Sequence, residues 1–353
     1  MSRFLTEKLQ NLIPYTPGEQ PKNMDSLLKL NTNENPYPPA PSVVELLSME
    51  QASALRLYPD PDCRLFVQAV ADYHGLGAEN VFPGNGSDEV LAFCFLGLCP
   101  NGAAFADITY GFYKVCAGLF GVDASIVPLR DDFTICVEDY SDLRGTVFIA
   151  NPNAPTGLSL PLPEIEKLLR QNRDRLVVVD EAYVEFGGRS ALPLLEKYDN
   201  LLIVRTLSKS HSLAGARLGY ALGSAEIISD LNRMRFSFNP YNINRLSLFS
   251  GAAAIRDVNY LKECREKIIK SREYTTLELR NLGFKVLESH ANFVFAGDNP
   301  KISGGDYMNR LRDNNILVRH FDVPRMANYV RITIGTQTQM ERLVAVTKRL
   351  LGG

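Results

Sequence analysis

Four short stretches of this 353-residue chain carry side chains able to do chemistry on a small molecule. "RTLSKSHSLAGARLGY" sets Lys209 directly after Ser208 and shortly before Arg217. An amine desolvated or placed near other cations attacks carbonyl carbon to give a Schiff base, and a guanidinium fork matches the oxygens of a phosphate. "LVVVDEAYVEF" ends an apolar run on Asp180, with Tyr183 just beyond it. A carboxylate after such a run must find a cation or donors to offset its desolvation. "FPGNGSDEV" delivers Gly86, Ser87 and Asp88 to the start of a helical pattern, where free backbone N–H groups and the positive end of the dipole favour a phosphate. "FIANPNAPTG" runs a strand into a polar turn whose Asn153 can direct hydrogen bonds at a bound ring.

Each stretch alone has a plainer reading. Ser87 or Asp88 can cap a helix, an Asn-Pro turn needs no ligand, Asp180 can serve as an N-cap, and Lys209 can be a solvated lysine beside an ion-paired Arg217. Together they supply an amine for an aldehyde, an acid for a protonated ring nitrogen, a polar turn beside a ring and a cradle for a phosphate. Those are the four parts that pyridoxal 5'-phosphate requires. A rival from another class, a nicotinamide-dependent reductase, rests on Tyr110 and Lys114 at Y-x-x-x-K spacing in "YGFYK". The glycine turn starts like a dinucleotide fingerprint, but Glu89 stands at its third glycine.

The elements that must position these residues follow from periodicity. "GAAFAD", "ASIVPL", "GTVFIA", "RLVVVD" and "NLLIVRT" are strand-length and apolar without strict alternation, as expected of parallel strands buried on both faces. Amphipathic stretches such as "SDEVLAFCFLGL" and "LPEIEKLLRQN" separate them. The alternation predicts an α/β fold, a large domain with a central, mostly parallel sheet over 41–245. Residues 1–40, rich in proline, read as an extended arm lying over the active site, and 246–353 read as a smaller α+β domain. Ligands of open α/β sheets bind at the carboxyl ends of the strands, and all four stretches fall there.

Composition narrows the function classes. Lys plus Arg number 38 against 40 Asp plus Glu, with no long block of one sign, so no nucleic acid or anionic membrane is expected as partner. No stretch has the length of a membrane span or the apolar core of a signal peptide, and a cytoplasmic protein is expected. The six cysteines include no C-x-x-C pair and the four histidines lie far apart, so neither disulfides nor a metal site is expected.

In this order the four stretches resemble the fold-type I aminotransferases over nearly the whole chain. "NLIPYTPGEQP", "LNTNENPYPP", "LRLYPDP", "TYGFY", "DEAYVEF", "SKSHSLAGARLGY" and "YVRITIG" are similar to the pattern of the histidinol-phosphate aminotransferase family. The resemblance implies that Lys209 holds the cofactor aldehyde and shuttles a proton, with Asp180 at the pyridine nitrogen and Tyr183 donating to the phenolic oxygen. Gly86, Ser87, Asp88, Ser208 and Arg217 would surround the phosphate, Tyr110 would stack on the ring, and Tyr58 would reach the site of a second subunit in a homodimer. Arg331 and Arg319, with Tyr15 and Asn33 as neutral partners, are the candidates for the substrate anion, since an arginine fork suits phosphate and carboxylate alike. The implied reaction moves an amino group between L-histidinol phosphate and 2-oxoglutarate. An aromatic aminotransferase or a threonine-phosphate decarboxylase would share most of the pattern, and a non-enzymatic cofactor sensor is a third alternative. One position departs: the family places a second asparagine before P-T-G, and here Ala154 stands there, with no group to donate, which leaves Asn153 to take over or Tyr183 to act alone.

Overall fold

The computed structural model describes residues 5–10, 12–21, 26–46 and 52–352. Its strands in chain order are β1 (Leu28–Lys29), β2 (Val81–Gly84), β3 (Ala103–Ala106), β4 (Ala124–Val127), β5 (Thr146–Ala150), β6 (Val177–Asp180), β7 (Leu201–Thr206) and β8 (Gly219–Gly223). After them come β9 (Lys285–Val286), β10 (Phe293–Gly297), β11 (Ile316–Leu317), β12 (Arg319–His320) and β13 (Tyr329–Thr333).

Seven of these form one sheet in the order β2-β8-β7-β6-β5-β3-β4. Pairing is parallel from β4 through β3, β5 and β6 to β7. The sheet therefore has the α/β character that the apolar runs predict. Its middle strands alternate between two cores. Val147, Ile149, Val177, Val179, Leu201 and Ile203 pack on one face, and Phe148, Val178, Leu202 and Val204 on the other. The period of two sends neighbouring side chains to opposite faces, and helices cover both, which is why these strands read as unbroken apolar runs.

Two departures from that reading have local causes. β4 is an edge strand and leaves Ala124, Ser125 and Ile126 exposed. β8 runs antiparallel to both of its neighbours, because the chain after β7 returns through one 3-10 turn, Ala214–Ala216, with no helical crossover to carry it to a parallel start. β2 forms the other edge and contains Pro83, a residue without a ladder donor that an edge tolerates.

A second, antiparallel sheet has the order β12-β13-β10-β9 and packs against the 24-residue helix Val258–Asn281 and the helices Gly304–Asp313 and Gln337–Leu350. The N-terminal segment is tied to it: β1 pairs in parallel with β11, and Thr333 N–H donates to the Leu30 carbonyl. From that anchor residues 30–37 run across to the carboxyl edge of the large sheet. Among the described residues no helix is long and apolar enough to cross a membrane.

Candidate active site

Five connections meet at one edge of the large sheet: those leaving β2, β3, β5, β6 and β7. β8 contributes its amino end there because it runs in reverse, so Arg217, immediately before β8, lands beside Ser208, shortly after β7.

At the end of β2, Gly86 occupies the N-cap of the helix Ser87–Gly97 with φ of 80°, a left-handed conformation that glycine adopts without steric cost. A Cβ at Gly86 would lie 2.6 Å from Arg217 Nη2, and one at Gly219 would lie 2.4 Å from Ser87 N. The two glycines let the helix start, β8 and the arginine fork close around one point. No side chain caps this helix, so its first-turn N–H groups point into the cradle without a side-chain acceptor. Arg217 is itself left-handed, with φ of 54°, and its Nη1 is 3.4 Å from Ser208 Oγ. Thr206 Oγ1 donates to Ser208 Oγ at 3.0 Å, orienting that hydroxyl. Asp88 accepts from Arg217 Nη2 at 3.2 Å and from Tyr110 Oη at 2.8 Å, so its carboxylate supports the wall of the cradle. An anion here meets backbone N–H groups, two serine hydroxyls and a guanidinium.

Asp180 ends β6 and is 5 % exposed. Its Oδ2 accepts from Tyr113 Oη at 2.8 Å and its Oδ1 from the Ala182 N–H at 3.2 Å. Burial raises its pKa to about 6, against the lowering effect of those two donors. A buried acid with neutral donors and, among the described residues, no ion-pair partner is matched to a ligand that brings a positive nitrogen.

Lys209 is half-buried and meets the arm. Its Nζ has one long contact, 3.5 Å to the Thr32 carbonyl, and lies 5.8 Å from the centre of the Tyr183 ring. Asn35 Nδ2 donates to the carbonyls of Lys209 and Ser210, at 3.0 and 3.1 Å, so the arm fixes the backbone from which the lysine projects. Asn33, left-handed with φ of 57°, donates from Nδ2 to Tyr183 Oη at 2.9 Å and is held by Thr333 and Asn292.

Asn153 is fully engaged. Its amide donates to the Ile108 carbonyl at 3.0 Å and to Thr156 Oγ1 at 3.1 Å, and it accepts from Thr109 Oγ1 at 2.8 Å. Its side chain thereby locks the turn after β5 to the loop that carries Tyr110. Ala154 packs with Phe293, Ala291 and Tyr183.

Arg331 stands 5.4 Å above the Phe293 ring, donates from Nη2 to the Asn31 carbonyl at 3.0 Å, and among the described residues leaves a buried Nε without partner. Arg319 faces it in the β12–β13 register. The Tyr15 ring stands edge-on to Tyr110 and Phe112 at 6.1 and 6.2 Å; burial raises its pKa, opposed chiefly by the Arg331 charge. Tyr58 is not brought to this group: the residue is 79 % exposed, and its ring stacks on Tyr241 at 4.6 Å.

Two residues joined to the site escaped the sequence reading. Tyr113 belongs to the quoted "TYGFY", in which the resemblance singles out Tyr110. In the structure Lys114 is exposed, while Tyr113, on the buried side of the helix Phe112–Phe120, reaches Asp180. Arg325 pairs with Asp107, after β3, at 3.0 Å and joins the two sheets' loops; no local sequence signal announces a partner so distant in the chain.

The family model for aminotransferase class I and II matches residues 25–346. A histidinol-phosphate aminotransferase of Marinomonas sp. is 50% identical over an alignment covering 99% of this chain and 100% of the relative. A second, of Clostridium acetobutylicum, is 46% identical with the same coverage of 99% and 100%. Among solved structures, the histidinol-phosphate aminotransferase of Sinorhizobium meliloti in complex with pyridoxal-5'-phosphate superposes with a TM-score of 0.87, at 26% identity and 99% coverage of both chains. Similarity over the whole length, to the family model and to relatives near half identity, establishes that this chain belongs to the class I and II aminotransferases, among the histidinol-phosphate aminotransferases.

Proposed function

We propose that the chain transfers an amino group from L-histidinol phosphate to 2-oxoglutarate with pyridoxal 5'-phosphate as cofactor, a step of histidine biosynthesis. The observation that carries the reading is the convergence, at one sheet edge, of a cation-free buried acid, a weakly bonded lysine and an uncapped helix start closed by Arg217. The cofactor, when bound, supplies an aldehyde for amines and an electron-withdrawing ring that makes an adjacent C–H bond acidic.

The chain's own residues divide the remaining work. Gly86, Ser87, Ser208 and Arg217 hold the phosphate, with Asp88 fixing the arginine. Asp180 keeps a proton on the ring nitrogen, which sustains the electron withdrawal. Tyr183, held by Asn33, donates to the phenolic oxygen. With Ala154 in the family's asparagine position and both N–H groups of Asn153 engaged, Tyr183 is the donor this chain offers there. Lys209 Nζ would be the base that takes up and gives back the proton moved in the reaction. Tyr110 would stack on the ring. Arg331 and Arg319, with Tyr15 and Asn33, take the phosphate of the donor in one half-reaction and a carboxylate of the acceptor in the other.

The same reading includes a cytoplasmic homodimer. Leu57, Tyr58, Phe238 and Tyr241 are exposed by 52, 79, 75 and 43 %, an apolar surface of the kind that marks an interface and that supports Tyr58 serving a neighbouring subunit's site. It also includes the division into an arm over 1–40, a cofactor-binding unit over 41–245 and a smaller unit over 246–353, supported by the separation of the two sheets in sequence.

The test is a visible absorption spectrum of the purified protein with the cofactor before and after borohydride, followed by peptide mapping. The expected result is a reduced adduct on Lys209. Parallel assays with histidinol phosphate, phenylalanine and threonine phosphate should show the first as preferred donor; failure to transaminate it overturns the substrate assignment.

A further inference from the structure

Asp180 is held by a residue that touches neither substrate nor cofactor in the reading above. Tyr113 is completely buried on the first turn of the helix Phe112–Phe120, and its ring is confined by aromatic neighbours. It stands edge-on to Tyr110 at 5.7 Å and Phe105 at 5.8 Å, and tilted against Phe148 at 5.6 Å and Phe95 at 6.4 Å. This cage leaves the ring one position. Its hydroxyl makes one hydrogen bond, the 2.8 Å donation to Asp180 Oδ2.

The consequence for the carboxylate is geometric first. One oxygen is held by a side chain from the helix after β3 and the other by the Ala182 N–H, so the plane of the group is fixed by two points on different elements. The consequence is also electrostatic. The charges that act on Asp180 are Asp88, from the helix Ser87–Gly97, and its chain neighbour Glu181, whose side chain turns away to Arg205; both act against its ionisation, and Cys94 lies close and stays a thiol. Against burial and two like charges, the donors present are Tyr113 and one backbone amide.

We propose that Tyr113 is a positioning residue for the reaction: by donating to Asp180 Oδ2 it fixes the orientation of that carboxylate and keeps it ionised, so that Asp180 can hold a proton on the cofactor's ring nitrogen. The proposal rests on the function proposed above. It adds that the ring nitrogen's protonation is set by a hydroxyl in the aromatic core beneath it.

The test is carried out on the full chain with 13C-labelled aspartate, first without cofactor and then with 15N-labelled pyridoxal phosphate. Loss of a hydrogen bond to a charged group shifts proton affinity by about tenfold or more. In Tyr113→Phe the Asp180 carboxyl should therefore titrate at least about one pH unit higher. In the loaded protein the ring nitrogen should lose its proton at a correspondingly lower pH. Phe148→Leu loosens the same cage but keeps the hydroxyl, and should leave the titration in place. If Tyr113→Phe does not fold, 3-fluorotyrosine at position 113, a stronger donor of nearly the same shape, should move the Asp180 titration downward. An Asp180 titration unchanged in Tyr113→Phe, or shifted equally by Phe148→Leu, overturns the proposal. A ring nitrogen unprotonated in the unaltered protein, with the Asp180 shift still present, would defeat the role proposed for Asp180 and with it the function of the hydroxyl.

Discussion

Arg319 and Arg331 are direct cross-strand partners on β12 and β13, and the hydrogen bonds they make go to the backbone carbonyls of Thr16 and Asn31. Neither forms an ion pair among the described residues. Like charges directly opposite on a ladder are unfavourable, and burial lowers the Arg331 pKa, so the pair is held at a cost until an anion arrives. Arg331→Met should therefore raise KM for both the phosphorylated donor and the dicarboxylate acceptor by roughly 10–100-fold, the worth of about one or two charged hydrogen bonds. Its resistance to urea should be equal or greater by up to about 1 kcal/mol. Steady-state kinetics with each substrate in turn, alongside urea denaturation, would decide the matter. An unchanged KM for both would remove Arg331 from the anion site.

Asp180 makes a prediction about stability with a definite sign. Its folded pKa of about 6 lies above the ordinary 3.8, so between those values the folded state binds more protons than the unfolded one. Stability without cofactor then falls as pH rises through that window, by an amount on the order of 3 kcal/mol, and stays low above it. Asp180→Asn cannot ionise. The cofactor-free variant should be more stable than the unaltered protein by about 1–3 kcal/mol at pH 8 and little different at pH 4. With saturating cofactor the order should narrow or reverse, because the unaltered chain binds it more tightly. Urea denaturation at the two pH values, with and without cofactor, reads all four states.

Glu181, next in sequence to Asp180, points to the opposite side and does structural work. Its Oε2 accepts from Arg205 Nη2 and Nε at 2.8 and 3.0 Å and from Ser190 Oγ at 2.8 Å, and the Arg205 fork also reaches Glu185 at 2.9 Å. Removing one member of a buried pair leaves an uncompensated charge. Glu181→Met should cost about 3–5 kcal/mol, and Arg205→Met a similar amount. The double replacement should cost clearly less than the sum, and a double-mutant cycle measures the difference. Additive losses would mean that the pair is not coupled.

How much of this was legible in the sequence follows from the range over which each feature is encoded. The central strands could be read because burial on both faces is a local pattern: β6 needs only "VVVD" to be apolar up to its last residue. Lys209, Asp180, Arg217 and the Gly86 turn could be named as candidates because each lies at or close to a strand end, where an α/β sheet gathers its ligands. Tyr113 could not be ranked above Tyr110, since which of two tyrosines faces inward depends on where the helix begins and on what packs beneath it. The exposed face of β4 was misread for a similar reason, because strand order, unlike strand identity, is fixed by distant contacts. The full engagement of Asn153 was invisible as well: its partners Ile108 and Thr109 come from a different loop.

Ala154 leads to the last prediction. The alanine methyl packs beside Tyr183 and Phe293, in the place where the family's asparagine would donate to the cofactor's phenolic oxygen. Tyr183 Oη accepts a hydrogen bond from Asn33, which leaves its own proton to be donated. If Tyr183 is the donor at that oxygen, as proposed, Tyr183→Phe should raise the pH at which the bound cofactor's visible band changes by about one unit or more, because the developing negative charge loses that hydrogen bond. Installing Ala154→Asn in the same chain should bring that midpoint back part of the way, at a cost in stability from placing an amide in a buried pocket. Asn33→Ala, which removes the group that orients Tyr183 but leaves the donor, should shift the midpoint less than Tyr183→Phe does. Spectrophotometric titration of the four proteins orders them, and a Tyr183→Phe midpoint equal to that of the unaltered chain would show that the phenolic oxygen is served by some other donor.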